Sequence, residues 1–159
     1  MSPPAIGAER LHATAVALGD KAALIRGPSG SGKSDLALRC IATPPLPWSH
    51  ERVELVADDQ VMLTLRDGSI EVGVPPAIAG RIEVRGLGIL ALPYRPAARL
   101  ALVVDLAAPA DVPRYPLDPC AAAVLGTEVP LVRLAPFEAS APIKLVLALE
   151  AARIVLTPR

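Results

Sequence analysis

The chain has 159 residues, with sixteen basic and sixteen acidic side chains and no formal net charge. That length suits one domain with a real core, and the balanced charge excludes a global field that would gather nucleic acid or an anionic membrane. Hydrophobic residues make up 52% and aromatics 3%, an aliphatic interior suited to buried strands, and no apolar run approaches the ~20 residues that span a bilayer.

Residues 1–9 read as a Pro/Ala leader without the apolar segment of a signal peptide, so a cytoplasmic protein is expected. Residues 11–18 read as a strand, Gly19-Asp20 as a turn and residues 21–26 as a second strand. This hairpin delivers the chain to Gly27-Pro28-Ser29-Gly30-Ser31-Gly32-Lys33-Ser34, which fits G-x-x-x-x-G-K-[ST] between an apolar strand and a helical pattern over residues 33–42. Triphosphate oxygens need several convergent backbone N–H donors, and glycines at 27, 30 and 32 bring them close with no Cβ in the way. Lys33 supplies a charge for the β- and γ-phosphates, Ser34 a hydroxyl for Mg²⁺, and the helix points its positive end at the anion.

Thr43-Pro44-Pro45-Leu46-Pro47 ends that helix, because proline lacks the next helical N–H, and residues 44–52 form a surface loop with Trp48 and His50. Residues 53–57 form a strand closing in Asp58-Asp59. Residues 61–65 and 69–74 pair around Arg66-Asp67-Gly68, and residues 75–80 connect, with room for one helical turn. Residues 81–90 carry Gly86 and Gly88 where a strand is weakened, which predicts a bend or bulge placing Glu83 and Arg85 at a site. Residues 100–106 are apolar on both faces, as a central strand is; residues 107–119 are a Pro-rich excursion, and residues 129–134 a short strand. Residues 141–155 read as a closing amphipathic helix whose Ile143, Leu147 and Ile154, with Val146, Leu149 and Glu150 interleaved, are compatible with one apolar face. Cys40 and Cys120 match no metal spacing and read as buried free thiols.

A phosphate loop serves hydrolysis, transfer or regulation, depending on the acids that join it. Asp58-Asp59 closes an apolar strand where one carboxylate would hold Mg²⁺ while the other orients or deprotonates an acceptor, or else the pair simply begins a turn. Glu83 with Arg85 is a second candidate, against an ion pair on the sheet surface. His12 reads as a structural strand histidine on residue physics alone. Arg114, between Pro113 and Tyr115, reads as a solvated charge or as a cation reaching a transferring phosphoryl group.

Leu11-His12, the loop from Gly27 to Ser34, Leu55-Val56-Ala57-Asp58-Asp59 and Glu83-Val84-Arg85-Gly86-Leu87-Gly88-Ile89 together resemble the catalytic domain of HPr kinase/phosphorylase, in a short form without the family's N-terminal domain. The resemblance implies a P-loop α/β fold of the phosphoenolpyruvate-carboxykinase type: a mixed sheet, a helix after the loop and a C-terminal helix. It implies an ATP- and Mg²⁺-dependent kinase that phosphorylates a seryl residue of HPr, a phosphocarrier of the bacterial phosphotransferase system. In the full form the same site removes that phosphate with inorganic phosphate, releasing pyrophosphate. Asp59 matches the proton acceptor, Lys33 the phosphate-binding lysine, Ser34 and Glu83 the Mg²⁺ ligands, and His12 and Arg114 the active-site histidine and arginine. Full-length relatives are hexameric, so a homo-oligomer is compatible with the resemblance.

Three departures stand out. Asp35 replaces a usual glutamate and Ala13 a usual glycine. More consequential is Leu134-Ala135-Pro136-Phe137-Glu138-Ala139, which replaces a Pro-Gly-Arg loop tied to dephosphorylation and carries no arginine, while Glu138 would oppose a phosphate. Kinase activity is therefore the expected direction, with phosphorylase activity in question. Two other readings keep the phosphate loop: a small-molecule kinase or ATPase, and a non-catalytic nucleotide-sensing regulator.

Overall fold

A computed structural model describes residues 7–115 and 120–155. The chain runs β1 (Gly7–Leu11), β2 (Thr14–Leu18), β3 (Lys21–Arg26), α1 (Lys33–Ala42), β4 (Val53–Ala57), β5 (Val61–Arg66), β6 (Ser69–Gly73), β7 (Arg81–Val84), β8 (Gly88–Ala91), β9 (Ala97–Leu106), β10 (Ala121–Val124), β11 (Thr127–Leu134) and α2 (Ala141–Val155). Single 3-10 turns lie at Pro76–Ile78 and Pro109–Asp111. The leader up to residue 6, residues 116–119 and the Ile154 side chain lie outside the described residues.

Nine strands form one mixed sheet, and β7 and β8 pair apart from it. β9 is the spine. Along one edge it runs parallel to β3, from Arg99 opposite Lys21 to Asp105 opposite Arg26. Along the other it pairs antiparallel with β6 through residues 97–99, then parallel with β11 through residues 103–106. β2 lies antiparallel between β3 and β4. The strands therefore stand in the order β11, β9, β3, β2, β4. The C-terminal ends of β11, β9, β3 and β4 and the start of β2 open on one edge.

The two faces of β2 show how the core divides. Ala15 and Ala17 pack with Val56, Val61, Leu63, Val72 and Val124, where β5, β6 and β10 cover the sheet. Val16 and Leu18 pack with Leu36, Ala37, Cys40, Leu145 and Leu149 under the two helices. Alternation in a fully buried strand explains why both sets are apolar.

Most expected elements stand where the residues place them, with four differences. Residues 7–9, read as leader, belong to β1, and the strand expected over residues 11–18 begins only at Thr14, so His12 sits at the kink between β1 and β2 and not within a hairpin strand. Residues 81–90 make a hairpin turning at Arg85-Gly86-Leu87 in place of a bulge, with Gly86 and Gly88 both at positive φ. β10 was not expected; it pairs with β11 through a turn at Leu125-Gly126. Among the described side chains of α2 the buried ones are Ala141, Pro142, Leu145, Val146 and Leu149, whereas Ile143 and Leu147 are exposed. The buried set follows i, i+4, i+8 from Ala141, so the apolar face is rotated from the one expected. Cys40 is buried as expected and Cys120 is exposed.

Candidate active site

The phosphate loop begins where β3 ends. Arg26 donates to Asp105 through Nε (2.8 Å) and Nη2 (3.0 Å), and this pairing raises the guanidinium pKa further. The fork ties the last residue of β3 to its neighbour on β9, so the loop starts from a fixed point. An added Cβ at Gly27 would lie 2.6 Å from Ser31 Oγ and 3.4 Å from Leu106 Cβ, so a larger residue there would have to turn the Ser31 hydroxyl aside. Gly32, at φ 99, is the N-cap of α1 and makes no side-chain cap. The first N–H groups of that helix are therefore available to an anion.

Lys33 is buried, and its Nζ donates to the carbonyls of Gly27 (2.7 Å) and Pro28 (2.9 Å). Ser31 Oγ is buried without a partner among the described residues. A lysine held only by its own loop and an orphaned hydroxyl fit a cradle whose remaining acceptor oxygens come from a ligand.

Asp58 is 5% exposed and organises the acidic side of the site. Its Oδ1 accepts from Thr14 Oγ1 (2.9 Å) and Ser34 Oγ (2.6 Å), and its Oδ2 from the Glu83 backbone N–H (3.1 Å). One carboxylate thus joins β2, α1 and β7. Asp59 behaves oppositely. Its φ is 70, and Gln60 N–H donates to the Asp58 carbonyl at 2.8 Å, a γ-turn that holds Asp59 in a strained conformation. Its side chain is 66% exposed, with Oδ1 3.2 Å from His12 Nδ1.

A cavity of about 640 Å³ gathers these groups, lined by His12, Lys33, Ser34, Asp59, Glu83 and Arg85 among others. Of the expected residues, Ser29, Gly30 and Gly32 also line it. Gly27, Pro28 and Ser31 form the loop behind. Asp58 does not line the cavity as a direct metal ligand would; it lies beneath and holds Ser34. Arg114 is exposed after the second 3-10 turn and does not line the cavity; the arginine among the lining residues is Arg85. Among the described residues no ion pair joins Glu83 to Arg85, so the surface-pair alternative fails. Ser34 and Glu83, with Asp58 behind, carry oxygens of the hard kind that would suit Mg²⁺.

The model of the HPr serine kinase C-terminal domain matches residues 6–153. The chain belongs to that family. The domain's curated relatives include HPr kinase/phosphorylase of Bordetella petrii, 38% identical over 122 residues, which are 70% of this chain and 37% of the relative. The Clostridium tetani protein of the same name is 39% identical over 84 residues, 53% of this chain and 25% of that one. The chain thus spans between a quarter and little more than a third of the length of the curated relatives it matches. The solved structure of the Hpr(Ser) kinase/phosphatase from Coxiella burnetii superposes with a TM-score of 0.75 at 23% identity, covering 92% of this chain and 97% of that one. The mixed α/β fold of the HPr kinase C-terminal domain is therefore the one that the resemblance implies.

Sequence reasoning missed two members of the site. Thr14 looked like any strand residue, and only its burial beside a carboxylate marks it. Phe137, regarded only as part of an arginine-free segment, lines the cavity against Gly32. Glu138, expected to oppose a phosphate, is paired with Lys144 at 2.9 Å.

Proposed function

We propose that this chain is the catalytic domain of a protein serine kinase that transfers the γ-phosphoryl group of ATP to a seryl hydroxyl of an HPr-type phosphocarrier. The observation that carries the reading is the pairing of Asp58 and Asp59: one carboxylate buried on Ser34, its neighbour turned out beside His12 at the mouth of a phosphate cradle. Lys33 would exchange its loop carbonyls for phosphate oxygens. Ser34 and Glu83 would hold Mg²⁺, with Asp58 orienting Ser34, and the metal would neutralise charge on the β- and γ-oxygens. Asp59, oriented by His12, would accept the seryl proton as the serine oxygen bonds to the γ-phosphorus and the bond to the β–γ bridging oxygen breaks. Arg85 would stand where Arg114 was expected.

A protein acceptor is favoured over a small molecule by the surroundings. Asp59 is open to solvent, and the adjoining hairpin exposes Leu87 and Ile89. Reversal by inorganic phosphate is disfavoured, because residues 134–139 offer no arginine to that anion. With this reading go a single domain over residues 1–159, a cytoplasmic location, a homo-oligomer and no nucleic-acid partner. No helix among the described residues is long and apolar enough to cross a membrane.

The test is phosphotransfer from labelled Mg²⁺-ATP to purified HPr, with phosphoserine identified by mass spectrometry. Asp59→Asn should lower turnover roughly 10²- to 10⁴-fold and keep ATP affinity. Native protein that binds ATP but transfers nothing to HPr would sink the proposal, and a variant with unchanged function would favour a nucleotide sensor.

A further inference from the structure

Phe137 is the chain's only phenylalanine, in a sequence that is 3% aromatic. It is 73% exposed, which is costly for an apolar ring unless something covers it. Its position is nevertheless well defined. Arg39 of α1 donates through Nη2 to the Pro136 carbonyl and through Nη1 to the Glu138 carbonyl (3.4 Å). Glu138 N–H donates to the Ala135 carbonyl (3.3 Å), and Ala141 N–H to that of Glu138 (3.1 Å). The edge of the ring lies against the phosphate loop: a Cβ built on Gly32 would be 3.0 Å from Phe137 Cζ.

The strand order shows what such a ring would meet. At the site edge, Asp58 and Asp59 follow β4 on one flank, the phosphate loop follows β3, and residues 135–137 follow β11 on the other flank. An acceptor hydroxyl activated by Asp59 must approach the γ-phosphate from the β4 flank. The rest of the nucleotide then extends away from the acids, towards β11. Leu38 and Phe137 supply apolar lining to the cavity.

We propose that Phe137 is the stacking platform for the base of the bound nucleotide. This rests on the reading of the loop as an ATP site and adds the residue that holds the non-reacting end. An exposed aromatic face held beside a phosphate cradle is what a heterocyclic base requires, and stacking asks nothing of the base edge.

The test compares ATP with inorganic tripolyphosphate, which has the same phosphates and no base, by calorimetry on the purified protein. Phe137→Ala should weaken ATP about 5- to 100-fold while tripolyphosphate changes less than about twofold. Phe137→Trp should restore ATP binding, and Phe137→Leu should restore it only in part. Unchanged ATP binding by Phe137→Ala, or equal loss of both compounds, overturns the proposal while leaving the ATP site standing. Native protein that binds neither compound overturns both.

Discussion

Asp58 and Asp59 are adjacent in sequence and opposite in every physical respect. Residue types alone suggest a division of labour, but which acid faces inward follows from the Gln60 turn and from Thr14, neither of which announces itself in the sequence. The strain at Asp59 costs about 1 kcal/mol or more for a residue with a Cβ. Asp59→Gly should therefore raise stability by about 1 kcal/mol in urea unfolding and abolish phosphotransfer; lower stability would remove the strain argument. Thr14→Val leaves a buried acceptor short of a donor and should cost about 1–2 kcal/mol, with Thr14→Ser recovering most of it. Equal stability of the valine variant would show that Ser34 and the Glu83 N–H suffice for Asp58.

At the scale of elements, the legible parts were those governed by local chemistry. Glycine, lysine and serine spacing marked the phosphate loop, prolines ended α1, and Asp67-Gly68 turned the β5–β6 hairpin. Long-range pairing was not legible. β10 is four small residues whose strand geometry depends on β11, and the buried face of α2 depends on which sheet face receives it. The tether between α1 and residues 136–138 is of the same kind, since nothing local ties Arg39 to carbonyls almost a hundred positions later. Arg39→Met keeps the stem and removes the donors. It should cost about 1 kcal/mol and speed amide exchange at Phe137 and Glu138, with the loop of residues 44–52 unchanged as control. Unaltered exchange at Phe137 would show that the tether does not hold the segment.

For the whole molecule, the helix-covered face offers a probe of integrity. Burial between α1 and α2 pushes the Cys40 thiol up from an ordinary 9.0 to about 12. Between those values the folded protein keeps a proton that the unfolded chain gives up, so this contribution to stability is whole below about 9 and is lost as pH rises towards 12. At about pH 8, alkylation followed by mass spectrometry should leave Cys40 unmodified until denaturant is added. Modification of Cys40 under native conditions would mean that the helices part from the sheet without global unfolding.

β9 borders β3 on one side and, in succession, β6 and β11 on the other. The strand that carries the phosphate loop, one of the strands that cover the far face and the strand that delivers Phe137 all meet on these ten residues, whereas β4, which carries the acids, joins them through β2 and β3. Any opening that separates the phosphate loop from the Phe137 segment must break the bonding along β9. The phosphate loop and the ring beside it are thus parts of one cooperative unit, and the acids are joined to that unit by the two edges of β2.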